Sequence, residues 1–322
     1  MTGIIYPVAI TAVFYPILRW AYAVAFGTKE DHENVDFDIP GYEQCHKYRK
    51  RIEEDIHATL NQPYEKVNIY SRDGLKLAGK YYHVSQEAPV VILFHGYRSS
   101  AARDCAGGFK IAKEQGCNIL LVDQRAHGDS QGRTITMGIK ERYDCLDWTN
   151  YVVNRLGTET KILIEGLSMG ASTVLMASQL DLPENVKGII ADCGYSDVKE
   201  ILMRVGGRLK LPFHLKLSPK FAYSISRMGA IIFGKFDPQE ASPKKALENC
   251  KIPVLFIHGE KDRLVPVYMS HDNYNACQSE KELLIIPDAN HGMSYYVDTE
   301  KYEKKVIKFM EKCLKNNVNV NG

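Results

Sequence analysis

Ser168 stands at the centre of Gly166-Leu167-Ser168-Met169-Gly170. A serine hydroxyl is a weak nucleophile until a base takes its proton, and the base needs an acid to orient it. The stretch before the serine, Lys161-Ile162-Leu163-Ile164-Glu165, reads as a buried strand. Ala171 to Leu180 is small and apolar and reads as a helix. Strand, tight turn and helix are the context of a nucleophile elbow. The turn forces Ser168 into a strained conformation and lifts its hydroxyl above the sheet. Side chains at Gly166 and Gly170 would clash where strand and helix cross. The helix start also brings N–H groups and a positive dipole end beside the serine. A chance match in a loop is the competing reading, and the flanking strand and helix argue against it.

Chain order limits the partners. After such a serine, the acid should follow a later strand and the histidine the last strand. Asp262 follows the apolar run Val254-Leu255-Phe256-Ile257, and His291 follows Leu283 to Ile286. Both positions are loops at the carboxyl edge that carries Ser168. Asp262 is therefore the candidate acid and His291 the candidate base. Asp192, at the end of the preceding strand, is the alternative acid; its structural role would be to cap the helix that follows. Glu260 is a weaker choice. His258 reads as a strand-end residue packed against the site, and His127 and His271 have no such placement. Acyl transfer also needs donors aimed at a developing oxyanion, each worth about 3 kcal/mol. The N–H of Met169 is one candidate. The N–H of Tyr97, in the turn His95-Gly96-Tyr97-Arg98 after strand Val90 to Phe94, is the other.

The elements that must position these groups alternate. Strands are expected at Val90–Phe94, Asn118–Val122, Ile162–Ile164, Val186–Ala191, Val254–Ile257 and Leu283–Ile286. Helices are expected at 101–115, 139–156, 266–277 and 299–314. Continuous apolar strands separated by helices mean a parallel sheet covered on both faces. An antiparallel hairpin, Val67–Tyr70 and Leu75–Val84 around an Asp73-Gly74 turn, precedes them. The alternation breaks at about 198–250, which is helical. Arg204, Arg208, Lys210, Lys216, Lys220, Arg227 and Lys235 there interleave with apolar residues, and no Asp or Glu lies between Ile201 and Phe236. It reads as a lid suited to amphiphilic or anionic substrates or to a membrane surface, or as an ordinary solvated helical surface.

With 322 residues, 45% hydrophobic and 25% charged, the chain is globular. A net charge of +2 gives no field that would gather nucleic acid. The eight cysteines are scattered singly, so neither a zinc site nor a disulfide framework is expected. Ile4 to Phe26 is apolar apart from Thr11 and Arg19, close to the roughly 20 residues that span a bilayer. A signal anchor or membrane-lying helix, a helix docked on the protein or at a dimer contact, and a cleaved signal peptide are the three readings. The first is favoured, with Lys29 and Lys47 to Arg51 after the segment placing the catalytic domain in the cytoplasm. A soluble cytoplasmic protein comes second.

Taken together in this order, His95-Gly96-Tyr97, the stretch Asp123-Gln124-Arg125-Ala126-His127-Gly128-Asp129-Ser130, the serine pentapeptide, His258 to Asp262 and His291-Gly292 resemble the α/β-hydrolase superfamily, in its serine esterase, lipase and peptidase-like branch with a short helical cap. The resemblance covers about residues 64–315. It implies a mostly parallel central sheet with helices on both faces and a helical lid insertion. It also implies Ser168 as nucleophile, Asp262 as acid, His291 as base, and Tyr97 and Met169 as oxyanion donors. The Asp123 to Ser130 stretch would be a structural loop, departing from many relatives in having Ala126 for Gly. Residues 1–27 form the hydrophobic segment and candidate anchor, 28–63 a linker and helix, and 64–322 the hydrolase domain. The expected activity is hydrolysis of apolar carboxylic esters through an acyl-enzyme, without cofactor or metal, on a small-molecule acyl substrate. An aminopeptidase-like amidase or an acyltransferase would use the same residues. A membrane-tethered binding protein without catalysis is the remote alternative. Oligomeric state is left open.

Overall fold

The computed structural model describes residues 5–28, 35–41, 43–208 and 217–315, with side chains from residue 14 onward. Lys210, Lys216 and linker residues 29–34 lie outside the described residues. Two helices come first, α1 (Ile5–Phe26) and α2 (Glu43–Leu60). The hairpin follows as β1 (Glu65–Tyr70) and β2 (Lys76–Tyr82). Next come β3 (Val90–Phe94), α3 (Ala101–Asp104), α4 (Ala106–Glu114), β4 (Asn118–Val122), α5 (Glu141–Leu156), β5 (Ile162–Leu167) and α6 (Met169–Ala177). The chain continues through β6 (Val186–Asp192), α7 (Val198–Gly206), α8 (Pro219–Gly229), α9 (Pro243–Leu247) and β7 (Val254–Gly259). It closes with α10 (Tyr268–Ala276), β8 (Lys281–Ile286), α11 (Ser294–Val297) and α12 (Thr299–Leu314).

The eight strands form one sheet in the order β1-β2-β4-β3-β5-β6-β7-β8. β1 and β2 are antiparallel, β2 is antiparallel to β4, and every later pairing is parallel. Alternation along the strands divides the core. Val91, Leu93, Ile119 and Leu121 pack with Ile52 and Ile56 of α2, Phe109 of α4 and Phe309 of α12. Val90, Ile92, Phe94, Leu120 and Val122 pack with Trp148 of α5 and Val174 and Leu175 of α6. Fully burying one such side chain contributes about 1.5–3 kcal/mol, so the sheet is a rigid platform whose parallel strands end on one edge.

Two local expectations are corrected. The helix expected over 101–115 is two helices, because Cys105 (φ −102°, ψ 8°) leaves helical geometry after the Ser100-capped first turn. The first helix after β6 is capped by Asp197, whose side chain accepts from the Lys199 N–H; Asp192 does not do this.

The last turns of α1, from Leu18 to Phe26, pack on the protein. Leu18, Ala21, Tyr22 and Phe26 are buried, against Ile225 of α8 and Phe233 of the π-helical turn after it. Phe14, Tyr15 and Ile17 are exposed. No helix among the described residues is long and apolar enough to cross a membrane. In the 198–250 insertion, Arg204 and Arg227 pair with Glu200 and Asp237, acids lying just outside the acid-free window. The basic character seen in sequence is partly neutralised there.

Candidate active site

Ser168 occupies the turn between β5 and α6 with φ 57° and ψ −114°. An L-residue held there is strained, by an amount of order 1–3 kcal/mol. The surroundings enforce it. The Ser168 N–H donates to the Asp192 carbonyl at 2.8 Å, and the Ser168 carbonyl accepts the first α6 bond, from Ser172, at 3.0 Å. A side chain at Gly170 would run into the Phe94 and His95 carbonyls, and one at Gly166 into the backbone of Gly170. Strand and helix therefore cross within backbone contact.

The loops after β7 and β8 bring the next two groups to the serine. His291 Nε2 lies 2.9 Å from Ser168 Oγ, and His291 Nδ1 lies 2.6 Å from Asp262 Oδ2. A carboxylate only accepts, so Nδ1 carries the proton and the other nitrogen faces the serine hydroxyl. Asp262 is itself fixed. Its Oδ1 accepts from the N–H groups of Leu264 and Val265, both at 2.8 Å. His258 Nε2 stands 3.3 Å from Oδ2 and also 2.9 Å from the Val265 carbonyl, which gives that nitrogen the proton. Burial alone would raise the Asp262 carboxyl; His291 and His258 outweigh it and hold the carboxyl far below its usual range. His291 shows the converse. Burial would lower it, and its two neighbours Cys193 and Asp262 raise it well above the usual value. Burial pushes the Cys193 thiol up to about 11, so at neutral pH Asp262 is the anion beside the imidazole.

The turn after β3 is pinned on both sides of Tyr97. The Gly96 N–H donates to Asp104 Oδ2 at 2.8 Å, and the Arg98 N–H donates to His127 Nε2 at 3.0 Å. Met169 is the first residue of α6, so its N–H is among those a helix leaves without an internal partner. Tyr97 and Met169 line a cavity of about 280 Å³ together with Ser168. α1 contributes Trp20, Ala21, Val24 and Ala25 to this cavity, and α7 and α8 contribute Leu202, Val205 and Ile225. A second cleft of about 220 Å³ meets Ser168 from the other side, past Gly96, Arg103, Asp104 and His291.

The remaining sequence candidates fall elsewhere. The Asp192 side chain turns to Ser294 Oγ at 3.4 Å, and burial raises it to about 6. Glu260 and His271 are exposed. The Asp123 to Ser130 stretch is structural: buried Arg125 makes two 2.6 Å bonds to Asp144 and two more to Asp73. Ala126 there holds φ 64°, a left-handed conformation that suits the glycine of similar chains. His127 carried no local signal, yet it anchors the Tyr97 turn. Gln44 of α2 was missed as well. Its amide carbonyl accepts from Asn290 N at 2.7 Å, and its NH₂ donates to the Asp288 carbonyl at 2.9 Å, bracing the His291 loop. Among the described residues, Cys193, Asp262 and His291 offer atoms within 4.8 Å of one another, the spacing a metal would need, but Asp262 and His291 already bond each other.

Two family profiles match the chain. The one described as alpha/beta hydrolase fold covers residues 89–225, and the one described as the prolyl oligopeptidase family covers residues 230–317. The uncharacterized protein YqkD of Bacillus subtilis is 28% identical over 234 residues, 72% of this chain and 75% of its own. Protein bem46 of Schizosaccharomyces pombe is 24% identical over 69% of each chain. Among solved structures, an esterase of Pyrococcus furiosus superposes with TM-score 0.65 at 24% identity, covering 80% of this chain and 95% of that one. Est1E of Butyrivibrio proteoclasticus, solved with ferulic acid, gives 0.59 at 21% identity, covering 77% and 98%. The strand order, the strained serine turn after β5 and the profile match across that turn agree, and the chain belongs to the α/β-hydrolase superfamily.

Proposed function

We propose that this protein is a serine hydrolase that cleaves carboxylic esters of apolar acyl groups. The observation that carries the reading is the chain of contacts from Ser168 Oγ through His291 to Asp262, opening onto an apolar cavity. His291 Nε2 takes the hydroxyl proton as Ser168 Oγ attacks the acyl carbonyl. The N–H groups of Met169 and Tyr97 receive the oxyanion. Asp262 keeps the imidazole in the required tautomer and stabilises its charged form. The imidazolium returns the proton to the leaving alcohol. Water, deprotonated by the same nitrogen, then releases the acyl group from Ser168.

The preference for apolar acyl groups is supported by the cavity lining, which includes no charged residue among those described. The cleft on the other side, bordered by Arg103 and Asp104, is more polar and suits the alcohol. The prolyl oligopeptidase profile over residues 230–317 favours a second reading, an amidase acting through the same residues. Hydrolysis of p-nitrophenyl esters beside a panel of aminoacyl amides separates the two. Ester turnover that disappears in Ser168→Ala supports the first reading. Turnover of amides without esters overturns it.

A further inference from the structure

We propose that α1 is the wall that sets acyl-chain length, with Val24 as a specificity-determining residue. This rests on the reading of Ser168 as the acyl-accepting nucleophile. Ala21, Val24 and Ala25 form one side of the cavity at Ser168, and Trp20, 41% exposed, borders both the cavity and solvent. The opposite side is α7 and α8. The space beside the serine exists because the α1 positions facing it are small. The wall comes from residues 20–25, ahead of the region that the family profiles match.

The wall is also held in fixed register with the site. The Arg98 guanidinium donates to the carbonyls of Ala23 (3.2 Å), Val24 (3.0 Å) and Gly27 (2.7 and 3.0 Å). The Tyr97 hydroxyl donates to the Ala25 carbonyl at 3.0 Å. The Ile135 N–H donates to the Phe26 carbonyl at 2.7 Å. Two of the three anchors thus belong to the turn that presents the Tyr97 N–H to Ser168. An arginine over the last carbonyls of a helix is a favourable C-terminal partner. A helix that merely tethered the protein would have no need of anchors in the catalytic turn.

The test is the chain-length profile of the full-length protein, from acetate to dodecanoate p-nitrophenyl esters. Labelling rates with alkyl phosphonates of matching length are measured alongside. Each methylene excluded from an apolar site lowers kcat/KM about fourfold. Val24→Trp should exclude roughly three methylenes, lowering the longest favoured chain about 60-fold and leaving acetate within about twofold. Val24→Ala should move the optimum to longer chains, and it carries the test should the tryptophan variant misfold. Ala23→Trp, on the exposed side of the same helix, should leave the profile unchanged. An unchanged profile in both Val24 variants overturns the proposal, as does an equal loss at every chain length. Failure of any probe to label Ser168 in the parent protein overturns the nucleophile reading itself. An active, labelled enzyme indifferent to residue 24 overturns only the wall.

Discussion

Replacing Arg98 by alanine should weaken catalysis without touching any of the groups that react. Arg98 makes four contacts with three carbonyls at the end of α1. A hydrogen bond to a charged group contributes about 1.5–3 kcal/mol, and partial exposure of the guanidinium lets water take over some of these carbonyls, so a total near 2–3 kcal/mol of α1 docking is expected to be lost. The left-handed φ of 52° at residue 98 strains arginine and alanine alike, so the substitution adds no backbone cost of its own. The backbone N–H of residue 98 still reaches His127, so the turn loosens and does not collapse. Removing an oxyanion donor outright costs about 100- to 1000-fold, and a partial displacement should cost about tenfold in kcat. The assay is kcat and KM on acetate and octanoate esters, with limited proteolysis near Gly27 and a melting curve. Both substrates should lose kcat, cleavage near Gly27 should accelerate, and Tm should fall by about 3–5 °C. Arg98→Lys keeps the charge without the fork and should recover only part. Unchanged kcat with faster proteolysis would show that α1 and the oxyanion turn are independent.

Two further outcomes follow from the buried charges. Asp262 raises His291 above its ordinary value, and only the neutral imidazole accepts a proton, so the acid limb of kcat/KM should lie above pH 6.5. In Asp262→Asn that limb should move down while activity falls by about four orders of magnitude; NMR titration of His291 in a Ser168→Ala background checks the direction, and an unmoved titration contradicts it. Glu165, buried behind the serine, is raised to about 8 by burial and by Asp192. Its neutral form suits the folded state, so its contribution is fully present below the unfolded pKa near 4.5 and is lost as pH rises through about 8. Glu165→Gln should therefore melt higher than the parent at pH 8.5, by about 1 kcal/mol or more, and match it at pH 4. An equal difference at both pH values would mean that packing, and not ionisation, is responsible.

The sheet was legible because its strands are continuous apolar runs, and the serine turn because two glycines and a following helix leave few other conformations. Asp262 and His291 could be paired with Ser168 from chain order alone, since ends of parallel strands share an edge. The supports of the site were hidden for the opposite reason. Arg98 to Val24, His127 to Arg98 and Gln44 to Asn290 are single bonds across 74, 29 and 246 residues, and nothing local announces them. The insertion read as more basic than it is because the acids that pair with Arg204 and Arg227, Glu200 and Asp237, stand just outside the window that defined it. The length and apolarity of the N-terminal segment describe a membrane anchor and a docked helix equally well. What no local pattern announces is the buried face formed by Leu18, Ala21, Tyr22 and Phe26, and that face exists only once α8 is folded beside it.

The most direct test of Ser168 as the nucleophile is covalent labelling by an alkyl fluorophosphonate, with the modified peptide identified by mass spectrometry. A single adduct on Ser168 is expected, blocked by prior incubation with a long-chain ester and absent in a folded Ser168→Ala variant. A folded parent protein that takes no label, or one labelled equally well after Ser168→Ala, would contradict it.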